Sequence, residues 1–301
     1  MAIASGSLNP TASDELAQCV ADLVTCGSLE ICTQGVRDAR EVASLLPVGS
    51  RVYVNHLPRR TLMDSLPTLK AAHESGLEPV PHLSARRIGS RDELRSFLVR
   101  AVNDAGVRRV LLIGGDEPKP LGPYPDSVAL LRDGMLALAG IREIGIAGYP
   151  EGHPFVPRAA LERAMADKLA LAAEQGLSTH IVTQFSFAPA RVIEFCADLS
   201  RRAPGVPVYV GMAGPTQPST LIKFAQRCGV SASLRALSAE GMKLVRLVTH
   251  TAPDDQLVAL ARYCLAHADC NVVGTHFYTF GGVIQTAEWM RRVIEAPATA
   301  G

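Results

Sequence analysis

The sequence has no excess of charge of either sign. Thirty Lys+Arg stand against 29 Asp+Glu, a net charge of +1. Nucleic-acid binders and proteins of anionic membranes normally carry a cationic field, which is lacking here. There is no CxxC pair, and the seven cysteines are odd in number and scattered. That spacing excludes a disulfide framework and a structural zinc site, and predicts buried apolar thiols with no metal ligands. The first residues, MAIASGSLNPTASDEL, lack a charged segment followed by an apolar core, so no secretory signal is read there. No window approaches the roughly 18 uninterrupted apolar residues of a spanning helix. A soluble, reducing, cytoplasmic setting is the expectation.

Also missing is any linker rich in Gly, Ser or Pro, and any internal repeat. No GxGxxG or GxxxxGK[ST] is present, which counts against dinucleotide-fold and P-loop readings. GxSxG, the signature of one class of serine nucleophile, is absent too.

What remains is 301 residues, 48% hydrophobic and 20% charged. Such a chain can build a sizeable core. One domain over 1–301 is expected, with a helical extension over 1–27 and a helix and tail over 281–301. Short β-rich runs recur at Ser28–Thr33, Arg51–His56, Pro79–Leu83, Arg109–Ile113, Glu143–Gly148, Thr179–Gln184, Pro207–Met212 and Asn271–Tyr278. Most are continuously apolar, as parallel strands buried on both faces are.

Helical signals fall between them. Ser90-Arg91-Asp92-Glu93 reads as a capping box, with Leu94, Phe97, Leu98 and Ala101 at helical spacing behind it. Arg158–Gln175 is rich in Ala, Leu and Glu and stops at Gly176. Residues 62–75 and 219–228, and stretches near Ser238–Thr249 and Asp254–His267, behave similarly. Eight strands separated by helices predict a (β/α)8 barrel, with a doubly wound sheet as the alternative.

Barrel active sites lie at the carboxyl ends of the strands, and these ends are unusually polar. Glu30 lies in the first run, Asn55 and His56 end the second, and His82 lies in the third. Gly114-Gly115-Asp116 follows the fourth, Tyr149 to His153 the fifth, Gln184 closes the sixth, and His276 and Tyr278 the last. Each also has a plainer reading. Glu30 can alternate outward, Asp116 can be a turn residue, and Gln184 can be a satisfied core amide. An interior Glu30 would have its pKa raised by desolvation, and could stay protonated as a general acid. Glycines before Asp116 let a planar ligand approach the backbone.

Five stretches, taken together, resemble the methylenetetrahydrofolate reductase family of the single-domain bacterial type. They are PHLSARRIGSRDELRSFL (81–98), GGDEP (114–118), AGYPEGHP (147–154), TQFSF (183–187) and HFYTF (276–280). They occur in the family's order and close to its spacing, across about residues 28–280. The resemblance implies a (β/α)8 barrel that uses NAD(P)H and FAD to interconvert 5,10-methylenetetrahydrofolate and 5-methyltetrahydrofolate, in one-carbon metabolism and methionine biosynthesis. It implies Glu30 as general acid, and Asp116 as the carboxylate that faces the pterin. Gln184 and Tyr278 become folate contacts. Asn55, His82, Gly115, Tyr124, Tyr149, His153 and Lys168 become FAD contacts.

The chain departs from the family pattern in places. Gly114 stands where an arginine is common. Met165 and Ala172 stand near places that bring a lysine and an acid to FAD, with Asp167 and Lys168 shifted nearby. Pro218 falls near the usual ring-stacking phenylalanine. Two alternatives therefore stay open: direct hydride transfer from NAD(P)H without flavin, or a folate-binding barrel without redox chemistry. A homo-oligomer is left open as well.

Overall fold

Continuously apolar strands need cover on both faces, and a closed barrel ringed by helices provides it. The computed structural model describes residues 10–228, 230 and 253–296. Its strands are β1 (Ser28–Ile31), β2 (Arg51–Val54), β3 (Glu78–Ser84), β4 (Arg109–Ile113), β5 (Glu143–Gly148), β6 (Ser178–Thr183), β7 (Val208–Ala213) and β8 (Val272–Tyr278). They close in chain order, and every neighbouring pair is parallel. The chain is a (β/α)8 barrel, and the doubly wound alternative is set aside. The helix expected near Ser238–Thr249 lies outside the described residues.

β1 and β2 end two residues earlier than their apolar runs. Side chains take over from the ladder there. Thr33 N–H donates to Asn55 Oδ1 at 3.1 Å, and the Thr33 hydroxyl donates to the Asn55 carbonyl.

The helices are α1 (Pro10–Thr25), α2 (Val36–Ala43), α3 (Leu66–Glu74), α4 (Arg91–Asp104), α5 (Ser127–Arg132) and α6 (Met135–Leu138). α7 (Arg158–Glu174), α8 (Pro189–Arg202), α9 (Pro218–Arg227), α10 (Asp254–Ala266) and α11 (Val283–Glu295) follow. α1 packs against α10, α11 and β8. The start of α4 follows its cap signal in part. Ser90 Oγ accepts from Glu93 N at 3.0 Å, but the Glu93 carboxylate reaches Gly89 N at 2.8 Å instead of the Ser90 amide. Leu94, Phe97, Leu98 and Ala101 then turn inward and are fully buried. Each large side chain so buried contributes about 1.5–3 kcal/mol.

Strand alternation separates two interiors. Leu29, Ile31, Val52, Val54, Val110, Leu112, Ile181, Val208 and Val210 face the helices in one main core. Tyr53, Val80, Leu111, Val182 and Tyr209 fill the barrel itself. At the barrel's amino end, Arg109 Nε donates to Glu143 Oε2 at 2.5 Å and a second guanidinium nitrogen pairs with Glu78. At the carboxyl end an aromatic roof forms from Phe185 and Phe187, with Phe224, Tyr278 and Phe280 packed against it.

Candidate active site

Glu30 is the third residue of β1. Leu29 and Ile31 on either side belong to the core beneath the helices, so the two-residue period turns Glu30 into the barrel. The plainer, outward reading does not hold. Its side chain is 15% exposed, and Oε1 lies 3.6 Å from His82 Nε2 and 3.7 Å from His276 Nε2. Both distances suit ion pairing and are long for hydrogen bonds. The other nitrogen of His276, Nδ1, sits 2.9 Å from Ser28 Oγ. A proton site of one carboxyl and two imidazoles therefore fills the throat beneath the mouth.

The electrostatics correct one expectation. Burial does push the Glu30 carboxyl up, but His276 and His82 outweigh it, and the pKa is lowered. Facing imidazoles favour the carboxylate by more than desolvation penalises it. His82 is pushed down to about 4, chiefly by burial, with the Glu30 charge opposing.

The other predicted residues divide into two groups. The first lies around the mouth. Tyr278 closes β8 and donates from its hydroxyl to the Thr183 carbonyl at 3.0 Å, while its ring meets His276 edge-on at 4.8 Å. Burial, with Glu30 the next contributor, raises its pKa well above the ordinary value. Gln184 extends the β5–β6 pairing through its backbone N–H to Gly148 O at 2.8 Å. Its Oε1 accepts from Phe185 N at 3.1 Å. Asp116 is 73% exposed on the loop after β4, with Oδ2 at 3.7 Å from Arg87 Nη2.

Tyr149 and His153 sit next to each other, edge to face at 5.2 Å. Burial, then the Asp116 charge, pushes Tyr149 up to about 12. Burial lowers His153 against the pull of Asp116. Gly115 has φ +89°, and an added Cβ would stand 3.4 Å from Ser84 Cβ, so the bend before Asp116 favours glycine. A cavity of about 610 Å³ opens beside the mouth, floored by Ala147, Leu161, Met165 and Phe195.

The second group is engaged elsewhere. The Tyr124 hydroxyl donates to Asp133 Oδ2 at 2.7 Å, and its ring lies in the main core. Asn55 is tied to Thr33. His82 faces Glu30 from inside the barrel. Lys168 is buried in the seam between α5 and α7, with Nζ 3.5 Å from Ser127 Oγ, and burial lowers its pKa to about 8.

Sequence reasoning passed over other groups that the fold brings to the site. Buried Arg87 donates from Nε to Glu117 Oε1 at 2.6 Å and from Nη1 to the His56 carbonyl at 2.5 Å. Arg86 donates to the carbonyls of Glu117, Pro118 and Pro125 at 2.6, 2.7 and 2.9 Å. Together they hold the loop that carries Asp116. Phe280 adopts φ +48° and stacks on Phe224 at 4.5 Å, an uncommon conformation for an aromatic residue. His276, named among the polar strand ends, shares the inner face of β8 with Tyr278 through their i, i+2 spacing.

FAD would need counter-charge for its diphosphate. Arg86 and Arg87 donate mainly to the protein's own loop, Lys168 is buried between helices, and Arg158, Arg191 and Arg202, which line the cavity beside the mouth, pair there with Glu162, Glu194 and Asp198. Each of these cations is already engaged by a carboxylate, a carbonyl or burial, which is a poor match to the diphosphate of a tightly held FAD.

A (β/α)8 barrel with a carboxyl-bearing throat and a polar mouth is the architecture of an enzyme site. Residues 59–282 match the family described as methylenetetrahydrofolate reductase, and the chain belongs to that family. A 5,10-methylenetetrahydrofolate reductase of Pectobacterium carotovorum subsp. carotovorum is 35% identical over 80 residues, 27% of this chain and 26% of that protein. The match thus spans about a quarter of that relative. Among solved structures, a protein from Clostridium thermocellum, described as binding two copies of 5-methyl-5,6,7,8-tetrahydrofolic acid, superposes with a TM-score of 0.60. The superposition covers 89% of this chain and 95% of that one at 12% identity. At that identity the likeness speaks for the fold.

Proposed function

We propose that this protein interconverts 5,10-methylenetetrahydrofolate and 5-methyltetrahydrofolate, with NAD(P)H giving its hydride directly to the folate. The observation that carries the reading is Glu30, held in the throat between two imidazoles. Opening the five-membered ring needs a proton at N10, delivered where water is scarce. Glu30 is the donor, and His276, engaged with Ser28 on its far side, returns the proton. The resting carboxyl is ionised. A pterin over the mouth removes its remaining exposure, and desolvation acts toward the protonated form.

The N10–CH2 bond breaks with its electron pair going to N10. This leaves a 5-iminium cation, and hydride from the nicotinamide then adds at the methylene carbon. The products are 5-methyltetrahydrofolate and NAD(P)+. Asp116 is assigned the stabilisation of the cation by its carboxylate, and the Gln184 amide and the Tyr278 ring the orientation of the pterin.

The direct route is favoured because Tyr124, Asn55 and Lys168 are committed within the protein. A resident cofactor held at nanomolar affinity needs about 12 kcal/mol, whereas a dinucleotide in transit at micromolar to millimolar affinity needs about 4–8 kcal/mol. The test is an absorption spectrum of the purified protein, together with turnover of methylenetetrahydrofolate and NAD(P)H with and without added FAD. The reading expects no flavin bands, and turnover indifferent to FAD. Flavin bands, or turnover dependent on FAD, would restore the flavin route. Absence of turnover under every condition would leave a folate-binding barrel.

A further inference from the structure

The interior of a (β/α)8 barrel is normally packed with branched aliphatic side chains. Here a line of polar groups crosses it below Glu30. Glu143, at the start of β5, places Oε1 2.6 Å from His180 Nδ1. His180, on β6 and fully buried, places Nε2 2.9 Å from the Tyr53 hydroxyl. The order of donors follows from these contacts. Arg109 on the other carboxylate oxygen keeps Glu143 ionised, and its pKa is held down to about 2 against burial by His180 and Arg109. A carboxylate 2.6 Å from Nδ1 favours the tautomer with its proton there by charge, although the N–H is not aligned on the oxygen as in a regular hydrogen bond. Nε2 of His180 is then an acceptor, so the Tyr53 hydroxyl must donate.

Tyr53 is thereby fixed at its far end. Its ring, 0% exposed, meets His276 edge to face at 4.6 Å and His82 at 6.0 Å. These are the two imidazoles that face Glu30. None of these three lower groups touches the mouth, and none takes part in the proposed chemistry.

We infer that Tyr53, oriented by His180 and Glu143, is a positioning residue for the Glu30–His82–His276 proton site. The inference rests on the proposed reaction only for its catalytic consequence; the positioning itself is a property of the throat. A ring pinned beneath two imidazoles keeps water from entering from below and holds both Nε2 atoms toward one carboxylate oxygen. Its chemistry resembles a carboxylate–imidazole–hydroxyl triad, turned here to orientation, because the hydroxyl is buried. The titratable groups that face His82 are Glu30 on β1, His276 on β8 and His56 after β2. Tyr278 on β8 completes the set that faces Glu30.

The test compares Tyr53→Phe, His180→Leu and His180→Gln with the unaltered chain. Glutamine can accept from Tyr53 and donate to Glu143 at once, and it does not titrate. The primary readout is the imidazole NMR titration of His82 and His276, which needs no turnover. Tyr53→Phe and His180→Leu are expected to move the His82 midpoint upward by at least half a pH unit, as water enters the throat. His180→Gln is expected to restore it. Circular dichroism keeps folded variants separate from unfolded ones; if His180→Leu does not fold, Tyr53→Phe and His180→Gln decide. Unchanged midpoints in folded Tyr53→Phe would overturn the inference, leaving the line a purely structural plug. In turnover, the same variants should shift the pH profile for folate while leaving KM for NAD(P)H within twofold. A chain without folate turnover but with shifted midpoints would sink the proposed function and keep the positioning role.

Discussion

Glu30→Gln isolates the chemistry of the throat. The amide keeps the shape of the side chain but cannot give up a proton to N10. A lost general acid costs about 10²–10⁴-fold in rate, which is roughly 2.7–5.5 kcal/mol of barrier at 1.36 kcal/mol per tenfold. The assay follows nicotinamide absorbance with methylenetetrahydrofolate, alongside folate binding by fluorescence. Turnover is expected to fall at least a hundredfold while folate affinity stays within about threefold. The variant also carries a stability signature. Because the folded pKa of Glu30 is lowered, its carboxylate contributes stability that is present above the ordinary carboxyl pKa. That contribution is lost as pH falls through the lowered value. The stability gap between the unaltered chain and Glu30→Gln should therefore narrow in acid. A turnover loss below tenfold, or an equal loss of folate affinity, would refute the role given to Glu30.

Two further outcomes are expected. Asp116→Asn removes the charge beside the proposed cation and should lower kcat for folate by at least tenfold. Since Asp116 is 73% exposed, melting should barely change, and a matching rise in KM for NAD(P)H would argue for a binding role instead. Lys168→Met should remove a pH dependence of stability. The folded pKa near 8 lies below the ordinary lysine value of 10.5, so the unfolded chain binds the extra proton and stability rises with pH across that window. A displacement of that size is worth on the order of 3 kcal/mol. Denaturant melts of both chains at intervals across the window should converge as pH rises; parallel curves would place the ammonium in water.

The barrel was legible because its strands are continuously apolar and its helices carry their own punctuation. Observed strand limits differ from the apolar runs by at most two residues, most clearly where Thr33 and Asn55 exchange side-chain bonds for ladder bonds. That Glu30 belongs to β1, and that Asp116 and Gln184 follow the carboxyl ends of β4 and β6, was legible from the strand runs alone. The charge state of Glu30 was not. Burial is visible in a sequence as apolar neighbours, whereas the compensating imidazoles arrive from β3 and β8, far away along the chain. Tyr124 and Lys168 illustrate the same limit. Only packing decides whether a hydroxyl meets a ligand or Asp133, and whether an ammonium faces a rim or a helix seam. Arg86 and Arg87 looked like part of a cap-bearing segment, and their grip on the 114–125 loop depends on tertiary contacts across about thirty positions.

Both histidines address the same oxygen of Glu30, Oε1, and Oε2 has no partner among the described residues. The carboxyl thus has an inner face and an outer one. A carboxyl proton sits on one oxygen at a time, so under the proposed reaction a proton taken up at Oε1 reaches the outer oxygen only when the carboxyl turns about its last bond, and each turnover would include a half-rotation of Glu30.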